Sequence, residues 1–192
     1  MNKHVSTLLV ASLLLVAPLV SSAASITLGS ALTRQATLGN ATSGFIIDGN
    51  PQVGDINAAF GGVWVKEGAV TANSGLTNDL LTLTIVGGWG QPVITGTWTI
   101  ADSFFDTYGS AVISMHVGGA NLAPDGFAWL TSGKTGTWSY DVNALRGGGL
   151  SNLALWGSGE PTTQVPDGSS TALLLGLGLV SFSIAGRRKL TQ

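Results

Sequence analysis

Few side chains in this 192-residue chain are of types that do covalent or metal chemistry. It has no cysteine, which excludes thiol nucleophiles, thiolate metal sites and disulfides. Its two histidines are His4, near the start, and His116. A hydrolytic triad would need His116 beside a serine and a carboxylate, with a third group orienting the base. Strand alternation instead places His116 on a polar face with Ser114, where a histidine is exposed. Asp102 and Asp106 are four residues apart, and glycoside hydrolysis needs two carboxylates facing one bond. Asp48, Asp55 and Asn57 lie in a Gly-rich stretch that could offer oxygens to calcium, but the Asp-x-Asp-x-Asp-Gly loop spacing is absent. Asp and Asn at such places commonly bond the local backbone. Ser132-Gly133-Lys134-Thr135 matches the end of a phosphate-loop pattern whose first glycine position here holds Ala128. Among the tryptophans, Trp89 sits between Gly87-Gly88 and Gly90, on a turn, and is the candidate for stacking on a sugar ring. Trp98, Trp138 and Trp156 lie in strand-like runs and read as core.

These residues belong to a middle section in which Gly, Thr, Ser and Asn are abundant and no long 3.6-residue periodicity appears. Short β-rich runs alternate with turn residues, the pattern of an all-β domain. Leu81-Thr82-Leu83-Thr84-Ile85 alternates strictly, with the threonines on a solvated face. Further strands are expected over 96–100, 111–117, 127–130, 136–141 and 150–156, with weaker ones over 25–32, 44–48 and 62–67. About nine strands over residues 25–160 predict an antiparallel β-sandwich or jelly-roll-like domain. One short helix is expected within 101–108. Gly96-Thr97-Trp98-Thr99 and Gly136-Thr137-Trp138-Ser139 look alike, but their flanks differ, so a recurring strand start explains them better than an internal repeat.

Charge narrows the partners. From Ser25 to Thr163 four cations (Arg34, Lys66, Lys134, Arg146) stand against nine anions, a net charge of −5. That balance predicts no nucleic-acid partner. No residue cluster calls for a cofactor or a metal.

The two ends read differently from the middle. Residues 1–24 carry Lys3, an apolar run from Leu8 to Val20 and Ser22-Ala23-Ala24, the build of a cleavable secretory signal peptide. Residues 161–192 form a tail with three parts. Val165-Pro166-Asp167-Gly168-Ser169 opens it, with the polar turn spanning 166–170. An apolar run over 171–186 follows, sixteen residues that span roughly 24 Å as a helix. Arg187-Arg188-Lys189 then heads a basic end over 187–192, the cytoplasmic stop of a single transmembrane helix.

Motif, apolar helix and basic stop in this order resemble the PEP-CTERM sorting signal, in its Val-Pro-Asp variant. The resemblance implies recognition and cleavage of the tail by a membrane-embedded exosortase. It implies export, transient membrane anchoring through the tail, and a destination at the cell surface or outside the cell. Gly168-Ser169 departs from the Ser-Gly or Gly-Gly that usually follows Val-Pro-Asp, which leaves the cleavage point open. The stretch from Gly96 to Gly157 also resembles a recurrent cargo module of PEP-CTERM proteins. The expected function is therefore a non-enzymatic surface or extracellular-matrix component. The alternatives are an exopolysaccharide-binding module anchored by Trp89, and a hydrolase using His116 or the Asp102/Asp106 pair.

Overall fold

The computed structural model describes residues 24–30, 32–72, 75, 77–118, 123–131, 133–142 and 149–161. The residues read as signal peptide and sorting tail, apart from Ala24 and Pro161, therefore lie outside the described residues, including Val165, Pro166, Asp167, Gly168, Ser169, Arg187, Arg188 and Lys189. Ten strands and two short helices make up the described domain: β1 (Ser25–Gly29), β2 (Arg34–Gly39), β3 (Ala41–Ile47), α1 (Val53–Phe60), β4 (Val65–Thr71), β5 (Leu81–Leu83), β6 (Val93–Ile100), α2 (Asp102–Phe105), β7 (Ser110–Gly118), β8 (Gly126–Thr131), β9 (Thr135–Val142) and β10 (Gly149–Ser158). They form two five-stranded sheets, ordered β1-β2-β9-β6-β5 and β3-β8-β7-β10-β4, called here the first and second sheet. Every strand pairing is antiparallel.

Between the sheets lies one large apolar cluster. The first sheet contributes Ala36, Leu38, Leu81, Leu83, Ile94, Trp98, Ile100, Trp138 and Tyr140. The second sheet answers with Val70, Ile113, Met115, Val117, Phe127, Trp129, Leu150, Leu153 and Leu155, among others. Two sheets that share one core in this way are sandwich-like. The pairings β2–β9 and β3–β8 are nested, and the doubled ribbon passes from the first sheet to the second at Asn40 and Gly133. Asn40 takes a positive φ of 63° there and donates from Nδ2 to the Thr135 carbonyl at 2.5 Å.

The second sheet is covered on its far side as well. A separate cluster of Ile47, Ile56, Trp64, Val112, Ala128, Ala154 and Trp156 lies on its outer face, with Phe60, Ala69 and Leu130 packed against it. Helix α1 supplies Ile56 and Phe60, four residues apart and so on one face of the helix. Asp55 fixes its start by accepting the Gln52 amide at 2.8 Å, and Gly61, at φ +71°, ends it. This helix was not foreseen: it is only eight residues long, and Gly54 and Gly61 obscure its period. Strand β2 was not foreseen either, because Arg34-Gln35-Ala36-Thr37-Leu38-Gly39 has few large apolar residues. Among the described residues no helix is long and apolar enough to cross a membrane.

The two look-alike segments turn out to be partners. In the β6–β9 pairing Gly96 faces Trp138, Thr97 faces Thr137 and Trp98 faces Gly136. Each glycine makes room for the indole of the other strand. A Cβ on Gly136 would sit 2.7 Å from the Trp98 ring, and one on Gly96 would sit 2.8 Å from the Trp138 nitrogen. The likeness therefore has a packing cause, and both indoles are fully buried in the core.

Candidate functional site

Two places collect polar side chains: the outer face of the first sheet, and one end of the second. On the first sheet the registers align outward residues into rows that run across the strands. Thr82, Thr99 and Thr135 form one row. Thr84, Thr97 and Thr137 form the next. Val86, Thr95, Ser139, Thr37 and Thr27 form a third. The threonine Cβ branch suits the pleat, and inner neighbours such as Leu81, Leu83, Ile94 and Ile100 hold the strands to the core. A groove of about 390 Å³ lies across the second and third rows, lined by Thr37, Thr84, Val86, Thr95, Gly96, Thr97, Thr137, Trp138 and Ser139. None of these residues is ionisable. Thr84 and Thr97 share a hydroxyl–hydroxyl bond of 2.7 Å, and Thr27 and Thr37 one of 2.8 Å.

At the other place His116 stands between Asn152 of β10 and Gly126 of β8. Asn152 reaches Asn50 at 3.4 Å, and Asp125 accepts the Gly49 amide at 2.6 Å, so the segment after β3 crosses this end. Inside the core at the same end, Arg34 is buried and donates to the Val117 carbonyl at 3.1 Å. The Tyr140 hydroxyl donates to the Gln91 carbonyl and accepts the Leu150 amide at 3.0 Å. Burial lowers the His116 pKa, the Asp125 carboxylate opposes that shift, and Arg34 adds to it. Burial likewise raises the Tyr140 pKa.

The sequence expected His116 and Ser114 on an exposed face. Ser114 is instead buried, accepting the Trp156 indole N–H at 2.8 Å, and His116 is half-buried with its Nδ1 sealed and unpartnered among the described residues. Alternation was read correctly, but α1 and its neighbouring segments cover the face it points to. Although Asp125 lies close enough to act on His116, its Oδ1 is held by Gly49. Of the nearby serines, the Ser114 hydroxyl is bound to Trp156. A base oriented by a carboxylate and bonded to a nucleophile is therefore not assembled from these groups.

The remaining candidates are held locally. Asp102 pairs with Lys134 at 2.6 Å on the surface, and Asp106 is exposed just beyond α2. Asp55 caps α1, and Asn57 accepts the Trp64 amide at 2.9 Å. Lys134 sits in the turn before β9, with its ammonium 5.4 Å from the Phe105 ring. Trp98, Trp138 and Trp156 are buried, as expected for core. Trp89 is on the turn between β5 and β6, but it is half-buried and packed against the main core rather than standing free. The groove itself escaped the sequence reading. Its signal was the Thr-x-Thr spacing on three separate strands, which becomes a surface only once the register is known. Comparison of the chain with protein-family models, with curated proteins and with solved structures finds no match in any of the three.

Proposed function

We propose that this chain is an exported bacterial surface or extracellular-matrix protein, non-enzymatic, and delivered through a C-terminal signal that an exosortase processes. The observation that carries the proposal is the tail: Val165-Pro166-Asp167-Gly168-Ser169, the apolar run over 171–186, and Arg187-Arg188-Lys189. Residues 1–24, as a signal peptide, would start the export that the tail completes. The domain between them reads as a β-sandwich of jelly-roll-like kind, and the nested β2–β9 and β3–β8 pairings support that finer description. A core of packed aromatics without disulfides suits a cargo that is stable outside the cell in either redox state. The test is the intact mass of the protein from host cells with and without the exosortase. Loss of the segment following about residue 166 only when the exosortase is present is the expected result. The same full-length tail in both strains overturns the proposal.

A second reading, a carbohydrate-binding module, is favoured by the uncharged groove of the first sheet, whose mostly apolar lining is set with threonine and serine hydroxyls. Trp89, half-buried, offers such a module only the part of its ring that the core leaves uncovered.

A further inference from the structure

We infer that the groove across β6, β9, β2 and the segment 84–86 that follows β5 is a binding site for a neutral glycan chain, one that runs across the strands over Thr84, Thr95, Thr97, Thr137 and Ser139. The inference rests on the carbohydrate-binding reading of the domain and gives it a site distinct from Trp89.

Three features carry it. The first is shape. A groove of about 390 Å³ is within the range of roughly 300–1,000 Å³ typical of small-ligand clefts. Three strands and the segment 84–86 hydrogen-bonded beside β6, with three spacings of about 4.8 Å, make it roughly 14 Å long across the sheet, which suits a short run of sugar rings better than one ring. The second is charge. No lining residue is ionisable, and the first charge met along the face, Asp141, belongs to the next row with Gln35 and Val93. A phosphate, a nucleic acid or a uronic acid would call for cations, which this face does not supply. The third is the chemistry of the lining. The Thr95, Thr137 and Ser139 hydroxyls have no side-chain hydrogen bond among the described residues, and each can donate once and accept twice. Thr84 and Thr97 bond each other and Thr84 Oγ1 also accepts the Thr97 amide at 2.9 Å, so of the two it is Thr97 that keeps spare acceptor capacity. Between the hydroxyls stand the threonine methyls and Val86. A neutral sugar presents the same mixture, hydroxyls around the ring edge and C–H groups on its faces. A peptide adding to the sheet would use a strand edge for its backbone bonds, and this groove lies on the face.

The site is assembled by register alone. The Gly96–Trp138 and Trp98–Gly136 pairs keep the inner side flat and filled, so β6 and β9 can lie close and align Thr97 with Thr137 on the outer side.

The experiment is a binding titration of the full chain, held in mild detergent, against neutral oligosaccharides (β-glucan, xylan, mannan and α-glucan fragments). Alginate and hyaluronan fragments serve as charged comparators. Thr95→Lys and Thr137→Lys each place an ammonium in the groove on an exposed, solvated position, and Thr99→Lys places one on the same face outside the lining. Circular dichroism and tryptophan fluorescence check that each variant folds. The expected result is saturable binding of at least one neutral glycan, weakened at least tenfold by Thr95→Lys and by Thr137→Lys and less than twofold by Thr99→Lys. Neutral-glycan binding that survives both groove variants overturns the site while leaving the carbohydrate reading intact. No glycan bound at all overturns both. Preference for the charged glycans overturns the assignment of a neutral ligand.

Discussion

The two sheets of this domain share a core but differ in what lies on their backs. Behind the first sheet is water: Thr82, Thr84, Thr95, Thr97, Thr99, Thr135 and Thr137 are all exposed. Behind the second sheet are α1 and a further apolar cluster, so β7 and β10 are buried on both faces over most of their length. The consequences run through composition and chemistry. The first sheet reads Thr-x-Thr because alternating residues meet core and solvent. The second reads Ala-Val-Ile-Ser-Met-His-Val and Leu-Ala-Leu-Trp, because both sets of side chains need cover. Polar residues on the open face keep spare hydrogen-bonding capacity. Those on the covered face, Ser114 and Asn152, are tied to Trp156 and Asn50. The open face is suited to meet a ligand and the covered one to hold the domain together.

Removing packing from the covered face should have the largest effect. Trp156→Ala empties a fully buried indole site and leaves the Ser114 hydroxyl without its donor. A loss of about 3–5 kcal/mol is expected, read by urea unfolding. Ile56→Ala, which detaches α1 from the sheet, should cost about 2–4 kcal/mol in the same assay. A smaller loss follows from crowding the seam of the first sheet. Gly96→Ala drives a methyl into the Thr84 backbone and the Trp138 indole, an overpacking that costs about 1–3 kcal/mol or more.

The seam also shows how far the sequence could be read. Strict alternation in Leu81-Thr82-Leu83 announced one wet face, and the core roles of Trp98, Trp138 and Trp156 followed from their strands. Nine of the ten strands lie in or overlap the expected runs, because β-branched and aromatic residues cluster there. What could not be read was anything that depends on pairing. That Gly96 and Gly136 seat each other's tryptophans is a statement about register, and the groove needs the register of three strands and the segment 84–86 at once. His116 was misjudged for a related reason. Alternation tells which side a residue takes, and only the tertiary fold tells whether α1 and the segment after β3 then cover that side.

His116 offers a pH test of the covered face. Its folded pKa is depressed, chiefly by burial, so in the window below its unfolded value near 6.5 the unfolded chain binds more protons than the folded one. Stability should therefore fall as pH drops through about 6.5 and towards the lower folded value. His116→Gln should flatten that slope in unfolding midpoints measured from pH 7.5 to pH 5. An unchanged slope would place the acid sensitivity elsewhere. The smallest effect belongs to the open face, where Thr99→Lys should shift stability by no more than about 0.5 kcal/mol.

The contrast between the faces can be measured directly, because the chain has no native cysteine. Single cysteines placed at Thr95 on the open face and at Ala154 on the covered face can be titrated with a maleimide in the native state. Labelling of Thr95→Cys at the rate of a free thiol, with Ala154→Cys unreactive until urea unfolds the domain, is the predicted result. Comparable native-state rates at the two positions would contradict the account of one open and one sealed face.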